Sequence, residues 1–205
     1  MEYKKYFDQI LKKRYADEYE QMIMELDNVY NSISKDTQFA FTSSNPLDKR
    51  MDFSAYFLAL IKVLEQHGKS YDEIKSTCLE IVTNYVKPKN KFAAWLKQIP
   101  VKLIGFKLTQ LFLKLLNKKI SKRGNDEGFR AQIIFDKEKT HGLGYGIDIY
   151  ECGICKLFKK HGSSKYAAIL CEVDKYTSSL AGLELIRSGT IANGAATCDF
   201  RYKKH

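Results

Sequence analysis

No apolar run in this chain is long and clean enough to span a bilayer. The two most apolar stretches, Ala55–Leu64 and Val101–Leu116, are interrupted by Lys62, Lys102, Lys107 and Lys114, which argues against a membrane span. Met1–Ile10 carries Lys4 and Lys5 with no apolar segment behind them, so no secretory leader is expected. Nucleic-acid signatures are missing too. No helix-turn-helix, zinc-finger or RNA-recognition pattern accompanies the lysine clusters at Lys102–Arg123 and Arg201–Lys204. The loop "THGLGYG" holds three glycines but lacks the strand–GxxxxGK[ST]–helix context of a phosphate loop. Internal repeats and low-complexity tracts are absent. These absences together predict a cytoplasmic protein with reduced thiols and no specific nucleic-acid partner.

What is present is a chain of 205 residues, 44% apolar, with a net charge of +10. That length supports a real core in one domain or in two small ones. The basic balance suits an anionic partner or simply a solvated surface. The first half reads as helices. Lys4–Ile33 is one long amphipathic segment, with Tyr6, Ile10, Tyr19, Met22, Met24, Leu26 and Tyr30 as core contacts. Asn45-Pro46 offers an N-cap and a first helical proline for the helix carrying "AYFLALIKVLEQHG", which is apolar nearly all round and ends at Gly68. Ser70 with Glu73 makes a capping box for a helix reaching about Tyr85. Pro100 precedes a further helix, Val101–Ile120, in which Val101, Ile104, Leu108, Leu111, Phe112 and Leu115 share one face, while Leu103, Phe106 and Leu113 intrude among the lysines on the other. Such a helix can pack within the fold, touch a membrane surface, or meet a protein partner or a second copy of the chain.

"SKRGNDEG" marks a boundary between a helical region, residues 1–124, and a cysteine-containing domain, residues 125–205, packed as one unit. "FRAQIIFD" and "YGIDIYE" alternate as strands and are joined by a glycine-containing loop. Helices over Cys152–His161 and Lys165–Leu180 follow, then strands at "LELIR" and "TCDFRY". The expected class is α+β, with a helical N-terminal half followed by a small antiparallel sheet and two packed helices.

Four of the five cysteines, Cys152, Cys155, Cys171 and Cys198, fall in the last 54 residues. Cys152 and Cys155 share a face at a helix start, and Asp174 shares one with Cys171. Cys198 alternates with Asp199, so Asp199 and Arg201 point away from it and can pair. Two chemistries use this pattern. The four thiolates could ligate Zn²⁺ or another thiolate-bound metal, although only one compact pair is present. Alternatively, one thiol is a nucleophile activated by a helix N-terminus or a nearby cation, with a carboxylate managing protons. The competing reading is that cysteines are small buried hydrophobes, and it wins for Cys78. His67 and His161 sit at helix ends, His205 is terminal and His141 is a loop residue.

The runs "YGIDIYECGICKLFKKHG", "LCEVD" and "LELIRSGTIANGAATCDFRY" resemble the L-2-amino-thiazoline-4-carboxylic acid hydrolase family. The likeness rests on Cys152 ten residues before Gly162, on Cys171-x-x-Asp174, on Arg187 ahead of the Thr190–Gly194 turn, and on Cys198-Asp199-Phe200. Cys155 looks like an addition found in some members. The resemblance implies a hydrolase that opens a small cyclic isothiourea to a carbamoyl derivative of cysteine, by thiol or thiolate–metal chemistry. Cys171, Asp174, Cys198, Asp199 and Cys152 would then be catalytic, with Cys171 or Cys198 as the attacking thiolate. Arg187, Arg201, Asp148 and Tyr145 would bind the small-molecule substrate. A fainter likeness to vinyl-reductase-type domains implies the alternative of a non-catalytic small-molecule or metal sensor.

Overall fold

The computed structural model describes residues 3–122 and 124–204. The first segment is two helices rather than one, α1 (Lys4–Arg14) and α2 (Tyr19–Ile33), parted where Tyr15 leaves helical geometry. Met22, Leu26, Tyr30 and Ile33 are buried at near-helical spacing. Met24 falls on the opposite side of that stripe and is 64% exposed, contrary to expectation. A 3₁₀ turn (Ser34–Thr37) and a single helical turn, α3 (Phe39–Thr42), lead into the centre.

The central helix, α4 (Arg50–Gln66), is apolar all round because it is surrounded: Ala55 and Phe57–Ile61 are fully buried. It starts later than Asn45-Pro46 predicts, since residues 46–49 form a turn instead. Asn45 is occupied there, accepting from the Leu47 N–H while its amide donates to the Phe129 carbonyl at 2.7 Å. Asp48 accepts the Phe129 N–H at 2.8 Å. The backbone of Phe129, at the entry to the sheet, is thus clasped from both sides by the helical half. At the other end Gly68 (φ +70°) closes α4: its N–H bonds the Glu65 carbonyl and the Lys69 N–H bonds Leu64, each at 3.0 Å. Ser70 caps α5 (Tyr71–Val86), accepting the Glu73 N–H at 3.2 Å.

The expected helix over 101–120 is replaced by two. α6 (Lys91–Leu103) runs through Pro100, and α7 (Lys107–Ile120) restarts after an extended Phe106. Gly105, a poor helix former, lies in the break. The shared face is divided: Val101 and Ile104 are buried. Leu113 and Ile120 are buried, whereas Leu108, Leu111, Phe112 and Leu115 are 52–80% exposed. α7 packs on the edge strand of the sheet, where the Asn117 side-chain oxygen Oδ1 accepts the Ile133 N–H at 2.8 Å.

The second half contains β1 (Arg130–Ile134), β2 (Gly146–Glu151), α8 (Gly153–Lys160), α9 (Ala167–Leu180), β3 (Leu183–Ile186) and β4 (Cys198–Lys204). The strands are antiparallel in the order β1-β2-β4-β3, so the last strand lies inside the sheet. The class is α+β with a helical N-terminal half. One apolar core runs from α1 through α4 and α5 to the sheet, with α8 against α4 and α9 against α5.

Candidate active site

Between the two halves lies a cavity of about 500 Å³. The start of α4 contributes Lys49, Arg50 and Phe53, and the end of α5 contributes Tyr85. The second half contributes Cys152, Cys155, Cys171, Asp174, Cys198 and Phe200. All four late thiols therefore face one space, joined by a carboxylate. All five cysteines of the chain are free. No group of three or more His, Cys, Asp or Glu among the described residues is arranged to hold a metal ion.

The thiols differ in environment. Cys152 is the N-cap of α8, where the helix presents unpaired N–H groups. The neighbouring Cys155 thiol, against burial and with the amides of Cys155 and Ile154, holds the Cys152 thiol below the ordinary value. Cys155 is pushed up by the neighbouring Cys152 and by its own burial. Burial, aided by Asp174, pushes Cys171 up to about 12, and its thiol donates to the Ala167 carbonyl at 3.9 Å. Burial raises Cys198 although its sulfur accepts the Ile191 N–H at 3.2 Å. That amide belongs to the Thr190–Gly194 turn, closed by Gly194 at φ +89°. Of the four late thiols, Cys152 is the one whose surroundings favour the thiolate. Gly153 next to it has no room for a side chain: a Cβ would meet Met51 Sδ at 2.8 Å and the Glu127 carbonyl at 3.0 Å.

Asp174 stands half-buried in the cavity wall, and burial raises its carboxyl although Arg187 opposes the shift. Arg187 donates to Asp174 Oδ2 and to the Cys171 carbonyl, both at 2.9 Å, and lies over the Phe200 ring at 5.0 Å. Its side chain is 8% exposed. With these partners taken, Arg187 orients Asp174 rather than reaching into open space. Asp199 lies on the other sheet face, where it accepts from the Ser188 N–H and hydroxyl and the Gly189 N–H, and so ties down the loop that carries Arg187. Burial opposes ionisation of Asp199, but these donors keep its carboxyl low. Arg201 is on the same outer face and pairs with Asp148 at 2.7 Å, not with Asp199. Tyr145 stacks on Tyr202 with 5.8 Å between ring centroids, and burial raises its hydroxyl while the Arg50 charge lowers it.

A model of the L-2-amino-thiazoline-4-carboxylic acid hydrolase family matches residues 49–202, three quarters of the chain. The chain belongs to this family. No curated protein and no solved structure matches it. The span that matches the L-2-amino-thiazoline-4-carboxylic acid hydrolase model opens at Lys49-Arg50, two cavity residues that the sequence reading did not single out. Both are exposed, and neither has an ion pair among the described residues. The Arg50 charge lowers Asp174, Tyr145 and Tyr202 together, so it bears on the acidic side of the cavity. Their neighbours Asp48 and Asp52 are engaged elsewhere, Asp48 with Phe129 and Asp52 with Tyr3 and Tyr30. No local sequence signal distinguishes such cations from ordinary surface ones.

Proposed function

We propose that this protein hydrolyses 2-aminothiazoline-4-carboxylate or a close cyclic isothiourea acid, with the Cys152 thiolate as nucleophile. The family description supports the substrate class. The observation that carries the thiol assignment is the position of Cys152 at the N-terminus of α8, against the Cys155 thiol and inside the shared cavity. This assignment moves the nucleophile away from Cys171 and Cys198, whose thiols burial pushes up.

The substrate carboxylate binds Arg50, with Lys49 beside it, because a planar guanidinium matches a carboxylate in two hydrogen bonds. Its protonated amidine-like end sits against Asp174, which Arg187 holds in place. Cys152 attacks C2, forming a carbon–sulfur bond. The C2–S bond of the ring then breaks, and the departing sulfur takes the Cys155 proton. Water adds to the same carbon and expels the Cys152 thiolate; one of the two protons released restores Cys155, and the other, matching the proton the amidine carried in, leaves by way of Asp174 to solvent. The product is N-carbamoylcysteine, and substrate plus one water balances it. Cys171, Cys198 and Phe200 form an apolar wall that limits bulk water around the reacting carbon.

Incubation of purified protein with 2-aminothiazoline-4-carboxylate should release a free thiol and a carbamoyl-cysteine mass. Cys152→Ser should lower kcat/KM by about 10³-fold or more, while Cys171→Ala and Cys198→Ala keep most of the rate. A chelator should leave turnover unchanged. Wild-type rates in Cys152→Ser would remove this thiol from the mechanism. Saturable binding without product would instead favour the non-catalytic sensor.

A further inference from the structure

Eleven of the 34 basic residues lie between Lys87 and Asn125, and none of the 24 acidic ones does. The remaining 23 cations and 24 acids nearly cancel, so this one segment carries the whole positive charge of the molecule. The same segment carries its largest concentration of exposed apolar side chains. On α6 these are Phe92, Trp95, Leu96 and Leu103, and on α7 Leu108, Leu111, Phe112 and Leu115, with Phe106 in the connection. On α7 the exposed stripe follows i, i+3, i+4, i+7 and stands opposite the buried Leu113 and Ile120. Lys107, Lys114 and Lys118 border that stripe; all three are exposed and form no ion pair among the described residues.

We propose that the α6–α7 pair docks the protein on an anionic lipid bilayer, lying in the headgroup region. Aliphatic and aromatic stripes beside unpaired lysines fit a surface that is apolar underneath and negative on top. Nucleic acid would use the lysines but leave Leu108, Leu111 and Leu115 unexplained. An apolar protein patch would use the leucines but leave the one-sided charge unexplained. The helices lie on the bilayer and do not cross it: no helix among the described residues is long and apolar enough to do so. This docking is independent of the proposed reaction.

Trp95 is the only tryptophan in the chain and lies within the patch, so its fluorescence reports contact directly. The full-length protein would be sedimented with vesicles of phosphatidylcholine alone and of phosphatidylcholine mixed with phosphatidylglycerol. The expected result is about tenfold or greater preference for the anionic vesicles, a blue shift of Trp95 emission, and weakening by salt. The surface variant Leu108→Gln/Leu111→Gln/Phe112→Gln should lose binding about tenfold while keeping its circular dichroism. Lys107→Glu/Lys114→Glu/Lys118→Glu should abolish the anionic preference. Equal binding to both vesicle types, or no Trp95 shift, overturns the proposal. So does a dimer that buries Trp95 without binding vesicles, or tight binding to RNA that the leucine variant retains.

Discussion

Cys152 and Cys155 differ in what surrounds each sulfur, not in chemistry, and the difference is testable. Because the Cys155 thiol and two α8 amides favour the Cys152 thiolate, kcat/KM should rise with pH along a limb centred below the ordinary thiol value. Cys155→Ala removes the first of those donors, so the limb should move to higher pH while the rate at the alkaline plateau falls little. The same midpoint should appear in the pH profile of Cys152 alkylation, which reads the thiol without turnover. At this scale the sequence was partly legible. Period-2 alternation shows that Cys198 and Phe200 share a face and that Asp199 and Arg201 do not. It cannot show that Arg201 would choose Asp148 on the neighbouring strand, that Arg187 would be consumed by Asp174, or that Lys49 and Arg50 would line the same cavity as the late thiols. Those pairings depend on tertiary approach.

Among the elements, the strands, α8 and α9 follow closely from local pattern, because alternation and caps are short-range signals. The helices from Lys91 to Ile120 do not. Periodicity correctly finds the stripe of Leu108, Leu111, Phe112 and Leu115, but it says nothing about which way a stripe faces when Leu113, Leu116 and Ile120 offer an apolar alternative opposite it. The joint between the helical half and the sheet is likewise invisible locally, since Asn45 and Asp48 act on Phe129 more than eighty residues away. Asp48→Ala strands the buried Phe129 N–H and frees the Ser43 hydroxyl that bonds Asp48 at 2.5 Å. Chemical denaturation should show a loss of about 2 kcal/mol, the usual cost of an unsatisfied buried donor.

For the whole molecule, His67 at the end of α4 reaches back to α2 and the residue before it, with Nδ1 2.7 Å from Glu18 and Nε2 2.8 Å from Glu25. Burial alone would push its imidazolium down, but the two carboxylates outweigh it and hold the ring above its ordinary value. A raised folded value means that this contribution to stability is fully present below the unfolded value of about 6.5 and fades as pH climbs through the folded one. His67→Gln should therefore lower the thermal midpoint more at about pH 5.5 than at about pH 9. The strand order has a consequence for how the molecule is born. β3 pairs only with β4, and β4 also completes the inner edge of β2. A ribosome delivers the chain from its amino end, so β3 emerges without a partner and the cavity lacks the wall holding Cys198 and Phe200 until the closing strand inserts. Until then the growing chain carries Cys152, Cys155 and Cys171 but no closed chamber around them.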